Sequence, residues 1–252
     1  MLNKQLLINR PRLMLIILVC ISSLIYLVDY MVDGSLKEVT TSFLGNLVFL
    51  PIYIIVVTLT MEQLLKERER QTLRRKLNMV IGVFFSEVGT RLFRELAVAV
   101  VHHEQLRASL LVTPQWKDAD FSAALGFLGS HDSRVDAVGT GLDLEQLKHF
   151  LVGKRSFLVG LLENQNLLEH EAFTDLLWAV FHLVEELDAR ESLAGIPAAD
   201  VEHLNGDIKR VFGYLSREWV LYMQHLKQDY PYLFSLAVRM NPMAEQTSPH
   251  LY

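Results

Sequence analysis

The amino-acid sequence predicts an all-α protein that consists of an N-terminal two-helix transmembrane hairpin followed by an antiparallel cytoplasmic helical bundle. Three observations predict this class. Two long uncharged apolar runs lie within the first 61 residues. Apolar residues then recur every three or four positions, which is typical of helices, and no segment alternates apolar and polar residues as a half-buried strand does. The mean hydropathy of +0.23 is also high for a soluble protein of 252 residues.

The first apolar run predicts a transmembrane helix over about residues 13–32. Its first part reads LMLIILVCISSLIYLV and carries no charge. Roughly 20 such residues are needed to cross the hydrocarbon core of a bilayer. The basic residues Lys4, Arg10 and Arg12 before the run would also suit a signal peptide. A span is favoured because the run is longer than a signal peptide's apolar region and no small-residue cleavage site follows it.

The second apolar run, residues 43–61, predicts a second span. It reads FLGNLVFLPIYIIVVTLTM, and Pro51 in its middle predicts a kink that a neighbouring helix can accommodate in lipid. The alternative interpretation is a buried core helix of a soluble domain. Two such runs in tandem favour a membrane hairpin, so residues 1–61 are interpreted as a membrane anchor.

The distribution of basic residues predicts the orientation of this hairpin. Loops rich in Lys and Arg stay on the cytoplasmic side of a membrane. Three basic residues precede the first span and six lie between residues 66 and 76, whereas the loop between the spans contains only Lys37. We therefore expect a multi-pass protein of the plasma (inner) membrane with both termini in the cytoplasm and the lipid bilayer as a partner.

Residues 62–76 predict a charged juxtamembrane stalk helix, because acidic and basic residues alternate there at helical pairing distances. A patch that binds anionic lipid is the alternative, which the interspersed glutamates disfavour. The bundle is predicted over residues 77–240. Its first helix presents an apolar face that includes Leu77, Ile81, Phe84 and Val88, and this face rotates after Gly89.

Caps and prolines divide the rest of the bundle into helices. Thr113 and Pro114 predict the start of a helix that ends at residue 128, and Asp143 predicts the cap of the next one. The further helices are predicted over residues 144–168, 169–190, 198–228 and 232–240. Residues 241–252 are predicted to form a disordered tail.

Histidines and carboxylates at helical spacing make candidate metal ligands. The candidates are His182 with Glu185 and Glu186, and His203 with Asp207. Helical phase, however, places His182, His203 and Asp207 away from the predicted core stripes, which favours solvated helix faces. His103 is in phase with a core stripe, so we expect a buried histidine with satisfied hydrogen bonds there.

Composition excludes several function classes. The net charge of −5 and the pI near 6.0 do not fit a nucleic-acid-binding protein. The single cysteine, Cys20, lies in the first apolar run, so the chain cannot build a disulfide or a thiolate metal site. No phosphate-binding glycine motif or serine-hydrolase motif occurs. We therefore predict no cofactor.

Two segments resemble one family. The stretch EQLLKERERQTLRRKLNMVIGVFFSEVGTRL, residues 62–92, and the C-terminal stretch MQHLKQDYPYLFSLAVRMNP, residues 223–242, are similar to prokaryotic two-span membrane proteins of unknown function with a helical cytoplasmic domain. The resemblance covers most of the chain. It implies the same architecture and a prokaryotic cell membrane, and it implies no activity.

The sequence thus favours a non-enzymatic membrane-anchored scaffold or signalling adaptor that forms a homo-oligomer or holds a protein partner. One alternative is a membrane-bound metal-dependent enzyme that uses histidines and carboxylates on the bundle helices. A second alternative is a component of an oligomeric channel or transporter, although neither predicted span carries the buried ionisable residue that marks an ion path.

Overall fold

The structure is a computed structural model. It describes residues 2–250 apart from 34, 102, 165–166 and 168–169, and it describes side chains from residue 16 onward apart from those of residues 33, 36, 74 and 103. The predicted burial of His103 therefore lies outside the described residues. Within the described residues the regular structure is helical, with one isolated antiparallel bridge between Val100 and Val135 and no strand. The all-α class is confirmed.

The chain divides into two compact units, residues 1–69 and 70–252. The first unit contains α1 (Leu2–Asp33) and the first part of α2 (Leu36–Phe84). These helices contact each other through Tyr26, whose ring meets that of Phe43 edge-on with centroids 5.8 Å apart. Pro51 lies inside α2 without ending it.

The apolar part of α2 has the length and composition of a membrane span. Its most apolar 18-residue window has a mean hydropathy of 2.2, and none of that window is buried by protein. A shorter apolar helical stretch covers Ile16–Val32. One helix thus meets the length criterion among the described residues, and the transmembrane hairpin stays a prediction.

The second unit begins with the end of α2, followed by a π-helical turn (Phe85–Gly89) and α3 (Thr90–Val98). The apolar face predicted before Gly89 is confirmed, because the side chains of Leu77, Phe84 and Val88 are buried. The apolar residues that follow Gly89 on the rotated face, among them Leu92 and Leu96, are buried as well. A π turn contains about one extra residue per turn, which rotates the buried face around the helix axis.

The remaining helices of the second unit surround one long helix. They are α4 (His103–Leu110), α5 (Asp118–Ser130), α6 (Leu144–Gly153), α7 (Arg155–Leu162), α8 (Glu171–Asp188), α9 (Ala198–Asp229) and α10 (Pro231–Arg239). Helix α9 packs against α8, α5, α10 and α3, and Trp219 in its C-terminal half is among the largest fully buried side chains. The predicted break at Pro231 is confirmed, since this proline is at the first turn of α10.

Two predicted helix boundaries are wrong. Helix α5 begins at Asp118 rather than at Pro114, because the backbone N–H of Lys117 donates to the Asp120 carboxylate (2.6 Å) and caps the helix there. Asp143 does cap α6, accepting from the N–H of Gln146 at 2.8 Å. The helix predicted over residues 144–168 nevertheless divides in two at Lys154, whose φ and ψ are −101° and 0°.

The C-terminal segment differs from the predicted disordered tail in its first residues. Asn241 and Met243 are buried. The Asn241 side chain donates to the carbonyl of Leu110 (3.4 Å), and Arg107 donates to the carbonyl of Met243 (2.7 Å) and to the Glu245 carboxylate (2.8 Å). Disorder from residue 241 is therefore wrong for these residues, since their polar groups are held by α4.

Candidate metal centre

The candidate site lies between α8 and α9. Helix α8 starts at the His170 cap, whose Nδ1 accepts from the N–H of Phe173 (3.1 Å). Residues 189–197 connect α8 to α9, and Gly195 in this loop has a φ of +67°. The two helices run antiparallel, as two cross-helix pairs show: His182 with Asp207, and Glu186 with His203. Arg190, just after the end of α8, pairs with Asp200 near the start of α9.

Two histidines converge on one carboxylate in this interface. The Nε2 atoms of His182 and His203 lie 3.5 and 3.4 Å from Oδ2 of Asp207. One ligand atom from each of the three residues lies within 4.8 Å of the other two. The imidazole rings are nearly perpendicular, with centroids 6.5 Å apart. The site thus combines two nitrogen donors and one oxygen donor from two helices.

Asp207 is the buried member of this cluster. The residue is 2% exposed, whereas the side chains of His182 and His203 are 44% and 51% exposed. Oδ1 accepts from Arg210 (2.8 Å), and Oδ2 is buried without a hydrogen-bond partner in the described part of the chain. Such a carboxylate oxygen is unfavourable unless a cation or a donor reaches it.

The expectation that Asp207 faces away from the core is wrong. Asp207 follows the buried Leu204 by three residues and precedes the buried Val211 by four, so it belongs to the same stripe. His203 is exposed, as helical phase predicts, and His182 is partly exposed. The polar residues of the two helices nevertheless meet, because Asp207 lies in the contact between α8 and α9.

Glu186 borders the cluster, and its charge is held by an arginine. Its carboxylate lies 3.4 Å from Nε2 of His203 and 3.8 Å from that of His182. The hydrogen bond from Arg190 (2.9 Å) lowers the pKa of the Glu186 carboxyl below its ordinary value. Arg190 also donates to Asp200 (3.0 Å) and lowers the pKa of that carboxyl in the same way. Glu186 is therefore an anion at neutral pH.

Four of the five predicted ligands are thus brought together, and Glu185 is not. Glu185 is 52% exposed and pairs with Arg155 (3.3 Å) outside the cluster. The sequence patterns did not predict that Arg190 and Arg210 bind the carboxylates of Glu186 and Asp207. Their spacing was the available signal, since each lies three or four residues after its acidic partner in the sequence.

Two of the three distances between the ligand atoms fit tetrahedral coordination. With bonds of about 2.1 Å, neighbouring ligand atoms around a tetrahedral ion lie about 3.4 Å apart. The two nitrogen-to-oxygen distances at Asp207 are 3.4 and 3.5 Å. Two imidazoles and a carboxylate are a donor set that suits zinc and other first-row transition metals. The residues present can therefore hold such an ion with small side-chain adjustments.

Comparisons with known proteins assign the chain to a family. The model described as "Uncharacterized protein MJ1433, C-terminal helical domain" matches residues 73–239, and the one described as "MJ1433, N-terminal helical domain" matches residues 4–65. The chain belongs to the MJ1433 family. Uncharacterized protein MJ1433 of Methanocaldococcus jannaschii is 40% identical to it over 237 residues, which cover 93% of this chain and 94% of the relative. No solved structure matches.

The MJ1433 family models agree with the division of the structure. The boundary between the compact units follows residue 69, and it lies between the ends of the two matched regions at residues 65 and 73. His182, His203 and Asp207 all lie within the C-terminal helical domain. Family membership is shown, while the two-span membrane character and the C-terminal signature stay predictions.

Proposed function

We propose that this member of the MJ1433 family is a membrane-anchored helical protein that binds a divalent transition-metal ion in its C-terminal domain. His182, His203 and Asp207 are the proposed ligands. The observation that carries the proposal is the convergence of two imidazole nitrogens on the buried Oδ2 of Asp207 at 3.4 and 3.5 Å.

The simpler interpretation of this geometry is an ion pair between Asp207 and a protonated histidine. Two features favour a metal ion instead. Neither imidazole makes a hydrogen bond of acceptable geometry to Oδ2, although both nitrogens are within reach. Two protonated imidazoles this close would also repel each other, since the ring centroids lie 6.5 Å apart. A metal ion, in contrast, binds both imidazoles in their neutral form.

The metal would join α8 to α9 and make the C-terminal domain responsive to metal concentration. This fits the predicted role as a scaffold or signalling adaptor, with a second copy or another protein as its partner. A metal-dependent hydrolytic enzyme is the second candidate. It is favoured by the partial exposure of both histidines, which leaves coordination positions facing solvent, where a water molecule could be activated.

The test is the metal content of the purified full-length protein, measured by mass spectrometry after dialysis against zinc. We expect close to one ion per chain in the wild type and a loss of at least tenfold in affinity in Asp207→Asn, which keeps the shape and removes the charge. His149→Gln is the matched control, because His149 is an exposed histidine of α6 outside the cluster. Equal metal content in Asp207→Asn and His149→Gln would overturn the proposal.

Membrane anchoring is supported by the apolar side chains of the first unit. The large apolar residues of the second run, from Phe43 to Met61, are exposed on the protein surface. Such a surface is unfavourable in water and suits a lipid environment. We propose spans at residues 13–32 and 43–61, with both termini in the cytoplasm.

Cysteine labelling tests this topology in a Cys20→Ala background. A membrane-impermeant maleimide should label Ser35→Cys in intact cells, because residue 35 lies in the loop proposed to be outside. Gln71→Cys should react only after the cells are opened. Labelling of both positions in intact cells, or extraction of the protein by alkaline carbonate, would overturn the anchoring proposal.

A further inference from the structure

A second site lies in the C-terminal domain, away from the metal ligands. A cavity of 640 Å³ opens between the end of α2, the C-terminal half of α9 and α10. This volume is in the range of pockets that bind small molecules, about 300–1,000 Å³. Its apolar wall includes Met79, Val83, Leu226, Leu233, Leu236 and Met240. Four of these side chains, those of Met79, Val83, Leu233 and Leu236, are exposed.

The polar side chains that line the cavity belong to uncharged residue types and to one histidine, His225. The described lining residues include Ser86, Thr90 and Tyr222 and contain no lysine, arginine, aspartate or glutamate. The Tyr222 ring is partly buried in this wall, and burial raises the pKa of its phenol. An ionic ligand would therefore lose its hydration without gaining a counter-charge, whereas an uncharged amphiphile would not.

His225 supplies an oriented hydrogen-bonding group at this cavity. Its Nδ1 lies 2.8 Å from the Asp229 carboxylate and 3.1 Å from Nδ2 of Asn78. These two neighbours engage Nδ1, so Nε2 is the ring nitrogen left for a ligand. A ligand hydroxyl suits that nitrogen in either tautomer, because it can both donate and accept a hydrogen bond.

The indole N–H of Trp219 lacks a hydrogen-bond acceptor among the described residues, which also points to a ligand in this cavity. Its side chain lines the cavity, and its indole N–H is buried without an acceptor in the described part of the chain. A buried indole N–H usually has a hydrogen-bond partner. A ligand with oxygen atoms could supply it after a small shift of the neighbouring side chains.

We propose that this cavity binds an uncharged lipid alcohol, with the alkyl chain between α2 and α10 and the hydroxyl hydrogen-bonded to Nε2 of His225. The proposal is independent of the metal site. The exposed apolar side chains of α2 and α10 would be covered by the alkyl chain, and the lack of lining charge selects the alcohol against the corresponding fatty acid.

The test is photolabelling of the full-length protein in living cells with a diazirine derivative of hexadecanol, followed by mapping of the labelled residues by mass spectrometry. We expect label on Met79, Leu233 or Met240. His225→Leu should lower this labelling about fivefold, the effect of one lost hydrogen bond of roughly 1 kcal/mol. The diazirine derivative of hexadecanoic acid should label these residues at least fivefold less.

Two glycine variants separate occupation of the cavity from general membrane labelling. A Cβ at Gly82 would meet the Tyr222 ring at 3.6 Å, an ordinary contact, so Gly82→Leu can fold and fill the cavity. It should abolish the labelling. Gly126→Leu, on α5 with open space around it, should leave the labelling unchanged. Equal labelling in both variants, or equal labelling by the acid and the alcohol, would overturn the proposal.

Discussion

Glu218 is a buried carboxyl group with no basic partner at hydrogen-bonding distance among the described residues. The residue is 2% exposed, and its Oε1 has no hydrogen-bond partner in the described part of the chain. Burial raises the pKa of Glu218 from 4.5 to about 7, against a smaller opposing effect of the Arg217 charge. The folded state therefore binds a proton at Glu218 more tightly than the unfolded state does.

We predict that Glu218 makes the folded protein less stable as pH rises. The contribution of Glu218 to the free energy of unfolding is complete below about pH 4.5 and is lost as pH rises through about 7. The shift of the pKa corresponds to a loss of about 3 kcal/mol in all. The measurement is the free energy of unfolding of the wild type and of Glu218→Gln between pH 5 and 8. As pH rises over this range, the Glu218→Gln variant should become more stable relative to the wild type. A difference that does not change with pH would contradict the assignment.

Gly195 is required by the backbone of the loop between α8 and α9. Its φ of +67° is in the left-handed region, and a Cβ there would meet no atom within 4 Å. The strain of Gly195→Ala is therefore that of the backbone alone, about 1 kcal/mol. We predict this loss in a urea unfolding experiment.

Gly160→Ala is the matched control for the Gly195 variant. Gly160 lies inside α7, also with open space around it. Alanine is favoured over glycine at such a position by up to about 1 kcal/mol, so stability should rise. Two variants with the same chemical change should thus shift stability in opposite directions, and shifts in the same direction would contradict the backbone argument.

At the scale of elements, the π turn between α2 and α3 depends on Gly89. A Cβ at this position would lie 2.6 Å from the Phe85 ring and 2.8 Å from the Phe84 ring. Both rings are fully buried, and they also contact Trp219 and Phe173, so neither can move freely. The turn therefore requires a residue without a side chain.

We predict that Gly89→Ala destabilises the protein by about 2 kcal/mol through overpacking. Gly82→Ala, about two helical turns before it on α2, should be tolerated, because its Cβ would make an ordinary 3.6 Å contact. Thermal unfolding followed by circular dichroism measures both. Equal midpoints for the two variants would show that the aromatic rings repack easily, contrary to the prediction.

The presence and order of the helices could be predicted from the sequence, whereas the extent of the buried surface of α9 could not. The apolar stripe through Leu204, Ile208 and Phe212 defines one face correctly. Because α9 packs against four helices, its buried surface is wider than one stripe and includes Asp207 and Glu218. Periodicity treats a polar residue as evidence of exposure, so it cannot find a buried carboxylate.

The division of the helix predicted over residues 144–168 shows a second limit. The sequence has no proline there, and apolar residues continue at helical spacing beyond Lys154. The chain nevertheless turns at this residue, and its side chain pairs with Glu87 (2.9 Å), which is distant in sequence. Such a break is set by packing against α8 and by other long-range contacts, which local patterns do not contain.

At the scale of the whole molecule, the proposed metal site between α8 and α9 would couple metal binding to folding. The proposed ligands come from both helices, which are buried against each other and form the largest helix contact of the second unit. An ion that binds the folded arrangement and not the unfolded chain stabilises the fold according to its affinity and concentration. The metal proposal therefore has a consequence that does not depend on any enzymatic activity.

We predict that zinc raises the unfolding temperature of the full-length protein. At a free zinc concentration of 100 times the dissociation constant the gain is about 2.7 kcal/mol, which corresponds to about 5–10 °C for a domain of this size. The chelator EDTA should reverse the gain. Asp207→Asn should unfold at the same temperature with and without zinc, whereas His149→Gln should respond as the wild type does. A zinc response that survives Asp207→Asn would place the metal elsewhere, since this substitution removes the charged ligand that both histidines share.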